Sequence, residues 1–324
     1  MSHQLTITAS EFAALAGMHP YVNREEAWKK ALLKSANKAF LNALTSSADT
    51  TVRRLRLPEI SEEIRQLPEV AQFITADAVT PEIQQSCNDA IEKAGATIIS
   101  RTVDACAAAS GDPSYPREAA REELTRMVKN TPNTERGKKR EPRTMKVLSD
   151  EIDAVSKAFA DLGLANPPKL DYTAERMDLH SIELVIGQND AVSDNGGDYK
   201  LLGVADGIET GPDGSKIVVE VKTRMSRFMK PDYDLIQLAC YLQLYSADRG
   251  ILVQELNGKT SKSDPFSKAD LQSLWCGAKR SIDITVEAML KGQTDKALAS
   301  DIIKHFFGGE PPQPSLQRGP WKKR

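Results

Sequence analysis

YKLLGVADGIETGPDGSKIVVEVK, residues 199–222, is the stretch from which the fold is read. Its last seven residues, KIVVEVK (216–222), form the best strand candidate in the chain, rich in β-branched side chains. TGPDGS (210–215) is a strong hairpin signal, and YKLLGVA (199–205) reads as the strand before it, closed by Asp206. Side chains alternate along a strand, so Glu220 and Lys222 share one face while Val219 and Val221 share the other. The valines suit a buried face. An acid and a base two residues apart are unremarkable on a wet face, and a surface ion pair of little worth stays an open reading of Glu220 and Lys222. Asp206 sharpens the picture. With a long hairpin tip it can sit level with Glu220, although a plain turn residue before Gly207 would also explain it.

Two carboxylates that close repel, and one holds a proton unless a cation lies between them. A hard divalent ion resolves the conflict. Magnesium prefers oxygen ligands and keeps several waters, so it can acidify a water attacking a phosphodiester. Lys222 beside that water would deprotonate or orient it, or stabilise the developing charge.

Upstream, SIELVIG (181–187) reads as another strand, so the expected order is helix, three-stranded meander over 181–222, helix from about Tyr233 to Ser246, and strand at 250–256 (GILVQEL). The preceding helix is expected to start near Arg140 or Glu141. Residues 269–292 read as helix, and the tail GGEPPQPSLQRGPWKKR as an extended basic segment. At the other end, residues 8–17 read as a short helix capped by Thr8 or Ser10 and ended by Gly17, followed by a turn at His19-Pro20-Tyr21. A helix over 24–44 would carry Trp28, Leu32, Ala36, Phe40 and Leu44 on one stripe. Residues 45–134 show no strand-like alternation. Helices are expected over 59–75, 81–109 (Thr80 as cap, Pro81 first) and 116–129. The fold class is therefore α/β (α+β), a mixed central sheet flanked by helices with a large helical N-terminal part. The expected divisions are 1–44 as N-terminal helices of the main fold, 45–134 as a helical insertion, 135–260 as the core, 261–309 as C-terminal helices and 310–324 as the tail.

Composition narrows the classes. At 324 residues, 40% hydrophobic and 27% charged, the chain is globular in character, and its formal net charge of −2 gives no global polycation. The four cysteines, Cys87, Cys106, Cys240 and Cys276, are too dispersed for a zinc ribbon or an iron–sulfur cluster, and disulfides are not expected. Ordinary burial of all four in a reducing, intracellular compartment is the expectation. The four histidines form no zinc pattern. No apolar run is long enough to span a membrane and no signal-peptide core opens the chain, so a soluble protein without a membrane partner is expected, cytoplasmic and nuclear settings being indistinguishable.

Asp206, a hairpin and then Glu220-Val221-Lys222 on a strand resembles the PD-(D/E)XK nuclease superfamily, with Ala205 standing where the superfamily name has Pro. Gly137-Lys138-Lys139-Arg140-Glu141 is similar to the Gly-x-x-x-Glu motif of its lambda-type exonuclease and YqaJ-like viral recombinase branch, and GKKREPRTMKVL also matches that branch in Pro142. Gln237-Leu-Ala-Cys-Tyr241 is similar to the Gln-x-x-x-Tyr motif of RecB-type nuclease domains, where the pair lines the site from one helical face. SEFAALAGMHPY (10–21) is similar to the opening of YqaJ-like proteins. The resemblance covers residues 8–21 and about 135–256, leaving 45–134 and the C-terminal stretch uncovered.

The resemblance implies a restriction-endonuclease-like core and a magnesium-dependent deoxyribonuclease, manganese substituting, without zinc or an iron–sulfur cluster. Asp206, Glu220 and the main-chain carbonyl of Val221 would hold the principal metal. Glu141 would bind a second metal or its water, Lys222 would assist the nucleophile, and Gln237 and Tyr241 would orient Lys222 or substrate. Ser10 would lie near a phosphate of the DNA end, with a plain N-cap as the alternative. Lys138, Lys139 and Arg140, like Arg224, Arg227 and Lys230, are candidates for DNA backbone contacts, a solvated basic face being the alternative for the first group. The branch favours an exonuclease acting on duplex ends in recombination, replication or repair, with a recombinase or single-strand annealing protein as a candidate partner and an oligomer as a candidate assembly. The rivals are an endonuclease with the same site, for a mobile element or a DNA structure, and a catalytically silent DNA-binding or assembly module.

Overall fold

The computed structural model describes residues 5–22, 24, 27, 28, 31, 57–111, 113, 115, 117–172, 182–186, 199–224 and 229–292. In chain order its elements are β1 (Leu5–Thr8), α1 (Ala9–Leu15), α2 (Leu57–Arg65), α3 (Pro68–Thr75), α4 (Pro81–Ser110), α5 (Arg117–Asp161), β2 (Lys169–Tyr172), β3 (Ile182–Ile186), β4 (Tyr199–Gly203), β5 (Gly207–Thr210), β6 (Lys216–Arg224), α6 (Asp232–Leu244), β7 (Arg249–Leu256), β8 (Lys259–Lys262), β9 (Phe266–Ser267) and α7 (Lys268–Gly292). Of the helix expected over 24–44, Arg24, Ala27, Trp28 and Ala31 are helical, and Leu32, Ala36, Phe40 and Leu44 lie outside the described residues. Residues 187–198, Arg227 and the tail also lie outside them.

The architecture is mixed α/β. The larger sheet runs β2-β5-β6-β7-β8, with β9 also on β7, and β6 and β7 pair in parallel while their other neighbours are antiparallel. A smaller sheet runs β1-β4-β3. The expected meander over 181–222 is not formed: β4 turns away to pair with β1 and β3, and the separate strand β5 pairs with β6. The expected order nevertheless survives with other members. Helix α5, antiparallel strands β2, β5 and β6, helix α6 and parallel strand β7 follow one another, and the β3–β4 pair is inserted between β2 and β5.

The alternation within β6 explains why both of its faces are covered. Val219 and Val221, with Ile251 and Val253 of β7, pack against Met145 and Leu148 of α5. Val218 and Leu252 point the other way, into a core shared with α6 residues Ile236, Leu238 and Leu242. Behind α6, α1 and α7 close the layer, with Phe12 stacked on Trp275 at 5.1 Å.

Residues 57–128 build a second apolar cluster from α2, α3, α4 and the first part of α5, including Ile64, Phe73, Ile91, Val103, Leu124 and Val128. Thr80 caps α4 as expected, its hydroxyl accepting from the Ile83 N–H at 3.3 Å, and Gly111 ends it at φ 63° in the left-handed region. The expected single helix over 59–75 is broken at Pro68, which opens α3, because proline cannot supply the N–H that would continue α2. The reverse holds downstream. The expected helices at 116–129 and from about Arg140 are one 45-residue helix, α5, with Pro132 and Pro142 inside it. Tertiary packing overrides both prolines: Leu124, Val128, Thr131, Arg136, Arg140, Thr144 and Leu148 form a buried stripe that faces first the helical cluster and then the sheet. The helix therefore crosses residue 134 without a break.

Arg136 and Arg140 hold the two parts together. Arg136 donates to the Phe73 and Ala76 carbonyls at 2.9 and 2.6 Å, and Arg140, only 5% exposed, bonds the Asp77 carbonyl and stands 3.6 Å from Glu255 of β7. Asn257, just after β7, accepts from the Val79 N–H at 2.6 Å and donates to its carbonyl at 3.3 Å. Cys87, Cys106 and Cys240 are buried, whereas Cys276, expected to be buried, is exposed on the outer side of α7. Among the described residues no helix is long and apolar enough to cross a membrane.

Two glycines make the packing testable. A Cβ on Gly203 would meet Tyr241 at 2.7 Å, Leu244 at 2.9 Å and Ala9 at 3.2 Å, whereas one on Gly137 within α5 would meet nothing within 4 Å. Gly203→Ala is expected to cost about 1–3 kcal/mol through overpacking. Gly137→Ala is expected to gain about 0.5–1 kcal/mol through helix propensity. Urea denaturation midpoints check both, and a stabilised Gly203→Ala would contradict this packing.

Candidate functional site

The β5–β6 ladder ends at Gly207 opposite Val219, so one further step of the register sets Asp206 opposite Glu220. Asp206 lies where the chain passes from β4 in one sheet to β5 in the other. Its Oδ2 accepts the Val221 N–H at 2.6 Å, filling the position where a longer β5 would have bonded. A strand residue presents its N–H and C=O on the same side, so the Val221 carbonyl faces this same gap. The Ala205 N–H donates to the Tyr245 hydroxyl at 3.1 Å, which pins the crossing to the end of α6.

Glu220 and Lys222 project from β6 toward α6. Glu220 is 2% exposed, and its Oε1 lies 2.6 Å from the Lys222 ammonium. Lys222 Nζ also donates to Gln237 Oε1 at 2.8 Å, and Gln237 Nε2 donates to the Tyr241 hydroxyl at 3.1 Å. Gln237 and Tyr241 are one helical turn apart on α6, which puts both on the face above β6. From the opposite layer, Glu141 of α5 comes within hydrogen-bonding reach of Asp206 and feels the charges of Glu220 and Lys222. The structure thus brings together Glu141, Asp206, Glu220, Lys222, Gln237 and Tyr241, residues far apart in the chain.

The electrostatics follow from burial. Burial, with repulsion from Glu141, pushes the Asp206 carboxyl up to about 7. Burial, with repulsion from Asp206, pushes Glu220 up to about 8 against the opposing pull of Lys222. Glu141 is likewise raised by burial and then by Glu220. Burial works against the Lys222 charge, but Glu220 outweighs it and the ammonium is held above its usual value. Tyr241 is raised by burial, so it stays a neutral phenol. Glu220 Oε2 is buried without an N–H donor, and the Asp206 carboxyl is its hydrogen-bonding neighbour. Such an oxygen is costly unless something occupies its lone pairs, and a hard cation is of the right chemistry. Among the described residues no three His, Cys, Asp or Glu side chains are spread to the spacing of a cation cage.

The other expected residues fall in different places. Arg140 turns inward to Asp77 and Glu255, so an exposed grip on a ligand does not suit it. Lys138 and Lys139 are exposed on α5, Lys138 pairing with Glu135 at 2.9 Å. Arg224 is part-buried in an ion pair with Asp234, and Lys230 lies 5.2 Å over the Phe266 ring. Ser10 is exposed, its hydroxyl 3.2 Å from that of Thr8, the N-cap of α1. Two further acidic residues near Asp206 in sequence lie away from it in the β5–β6 hairpin, Glu209 on β5 and Asp213 in the turn, where it accepts the Ser215 N–H at 3.0 Å.

The sequence reading did not single out Asp234, Tyr245, Tyr233 or His19 as site residues. Asp234 is buried beneath Arg224, and the His19 ring lies 4.5 Å from that of Tyr233. A signal existed for the first two: Asp234, Gln237, Tyr241 and Tyr245 follow i, i+3, i+7, i+11, a polar stripe on an otherwise apolar helix.

No family model matches the chain, and no curated protein matches it. Among solved structures, the crystal structure of SSO0001 is similar with a TM-score of 0.30 and 16% identity, covering 73% of this chain and 85% of that one. A likeness this distant carries no argument about fold or activity.

The raised carboxyls make a prediction about stability. Asp206 and Glu220 keep their protons to about 7 and about 8 in the folded chain, above the value of about 4 for carboxyls in an unfolded chain. Between those values the unfolded state binds fewer protons, so this site's contribution falls as pH rises. In chelator, melting temperature is expected to drop between about pH 5 and about pH 8 more steeply for wild type than for Glu220→Gln. Parallel slopes would contradict the raised values.

Proposed function

We propose that this chain is a divalent-cation-dependent DNA nuclease of the PD-(D/E)XK type. The observation that carries the reading is the buried Glu220 carboxyl, one oxygen paired with Lys222 and the other without an N–H donor, beside Asp206 at the open end of the β5–β6 ladder. The order α5, β2-β5-β6, α6, β7 supports the restriction-endonuclease-like core.

Asp206, Glu220 and the Val221 carbonyl would hold magnesium, or manganese in its place, with Glu141 at a second ion or its water. When bound, the ion supplies an acidified water and neutralises charge on the scissile phosphate. The chain's own groups divide the remaining work. Lys222, held as an ammonium, donates to the attacking water or to a phosphate oxygen rather than accepting a proton. Gln237 and Tyr241 fix where that ammonium points. Glu141, beside Asp206, is the group suited to take the proton from the water, and the leaving nucleotide's oxygen takes a proton from solvent as its bond to phosphorus breaks. Lys138, Lys139, Arg224, Lys230 and Ser10 would serve as DNA backbone contacts. Arg140 belongs to the scaffold.

Action at duplex ends, in recombination, replication or repair beside a recombinase or annealing protein, follows from the resemblance of residues 10–21 and 137–148. The decisive experiment digests linear duplexes with 5′-phosphate or 5′-hydroxyl ends alongside covalently closed circles, in magnesium and in manganese. Degradation of linear DNA with intact circles is expected. Cut circles would establish the endonuclease, and intact linear DNA in both metals would remove the enzyme reading in favour of a binding module. Lys222→Ala and Glu220→Gln are expected to lower kcat by about 10²–10³-fold. Gln237→Ala is expected to lower kcat by about 10- to 100-fold with KM little changed, since it loosens Lys222 without touching DNA.

A further inference from the structure

Beside the carboxyl cluster stand three rings that the chemistry above does not use. Tyr21 is 76% exposed, in the turn after α1. Its ring lies edge-on to His19 at 6.1 Å and to Tyr233 at 6.3 Å, and His19 lies 4.5 Å from Tyr233. The Tyr21 N–H donates to His19 Nδ1 at 3.2 Å, which fixes the imidazole plane. The group adjoins the site directly. His19 feels the charges of Asp234 and Lys222, and the Arg224 guanidinium lies 5.8 Å over the Tyr233 ring while it pairs with Asp234.

An aromatic ring left this exposed costs solvation that a fold gains nothing from. Here it continues a ledge of rings that ends at Arg224, paired with Asp234, and at Lys222, paired with Glu220. Apolar faces next to fixed positive charge match a nucleotide, a flat base joined to a phosphate.

We propose that His19, Tyr21 and Tyr233 form a stacking ledge for an unpaired terminal base of DNA whose phosphate lies at Glu220 and Lys222. The inference rests on the nuclease reading and adds the form of the substrate. A base on the ledge has left its helix, so the strand enters frayed or single-stranded. Tyr21 supplies the stacking face, and Tyr233, at 77° to it and backed by Arg224, walls its inner edge.

The test uses the full chain with calcium in place of magnesium and single-stranded oligonucleotides carrying 2-aminopurine at the terminal or at a central position. Wild type is expected to quench the terminal probe more than the central one. Tyr21→Ala is expected to lose that difference and to weaken single-strand binding, read by anisotropy, by about 5- to 150-fold. Tyr21→Trp is expected to restore both, and unchanged melting temperatures show that each variant folds. Equal terminal quenching by wild type and Tyr21→Ala, from a wild type that degrades linear DNA in magnesium, would overturn the ledge and leave the nuclease standing. A wild type that neither binds nor degrades DNA would overturn both.

Discussion

Glu220 is taken almost wholly out of water on the face of β6 that α6 covers, and the surrounding arrangement answers to that burial. Burial favours the protonated carboxyl, and ionising it there costs several kcal/mol unless charge and hydrogen bonds replace what water gave. Lys222 replaces part of it from the same strand face. Gln237 holds Lys222, and Tyr241 holds Gln237, so α6 is keyed to β6 by a polar chain set into an apolar interface. The other Glu220 oxygen has no N–H donor within the protein. Arg224 Nε, in the neighbouring pair with Asp234, is likewise buried without a partner.

The two ends of the site were legible in the sequence to different degrees. Strand alternation placed Glu220 with Lys222 and Val219 with Val221, and the structure keeps both pairs. The i, i+4 spacing placed Gln237 with Tyr241 on one helical face. Strand membership was harder. YKLLGVA has the pattern of a partner for β6, but pairing is settled by which neighbour covers which face, and Gly203 packs under Tyr241, Leu244 and Ala9. The true partner, GIET of β5, is four residues long and polar at one end, too short to show a period. The four-residue strand β2 left no readable trace for the same reason.

Proline misled in both directions along the helical half. Pro68 ends a helix where the flanking residues would have allowed one to continue, whereas Pro132 and Pro142 are absorbed by α5. A proline costs a helix about 3 kcal/mol, and a stripe of buried side chains on both sides of it can outweigh that cost. Charge misled once as well. Lys138, Lys139 and Arg140 look alike in sequence, yet Arg140 faces the sheet and is buried against Glu255, because residues 136, 140 and 144 share the inward stripe of α5.

That unbroken α5 makes the helical half a mechanical part of the core. Leu124, seated in the helical cluster, and Glu141, seated at the carboxyls, are about 26 Å apart along one continuous helix. A tilt of about 5° about Leu124 would carry the Glu141 backbone by about 2 Å, several times the tolerance of about 0.5 Å to which a working site is held. The clasp of Arg136, Arg140 and Asn257 on the loop at 76–79 is what stops that lever from swinging. The alignment of the acidic groups is therefore set in part by contacts made outside the sheet that carries them.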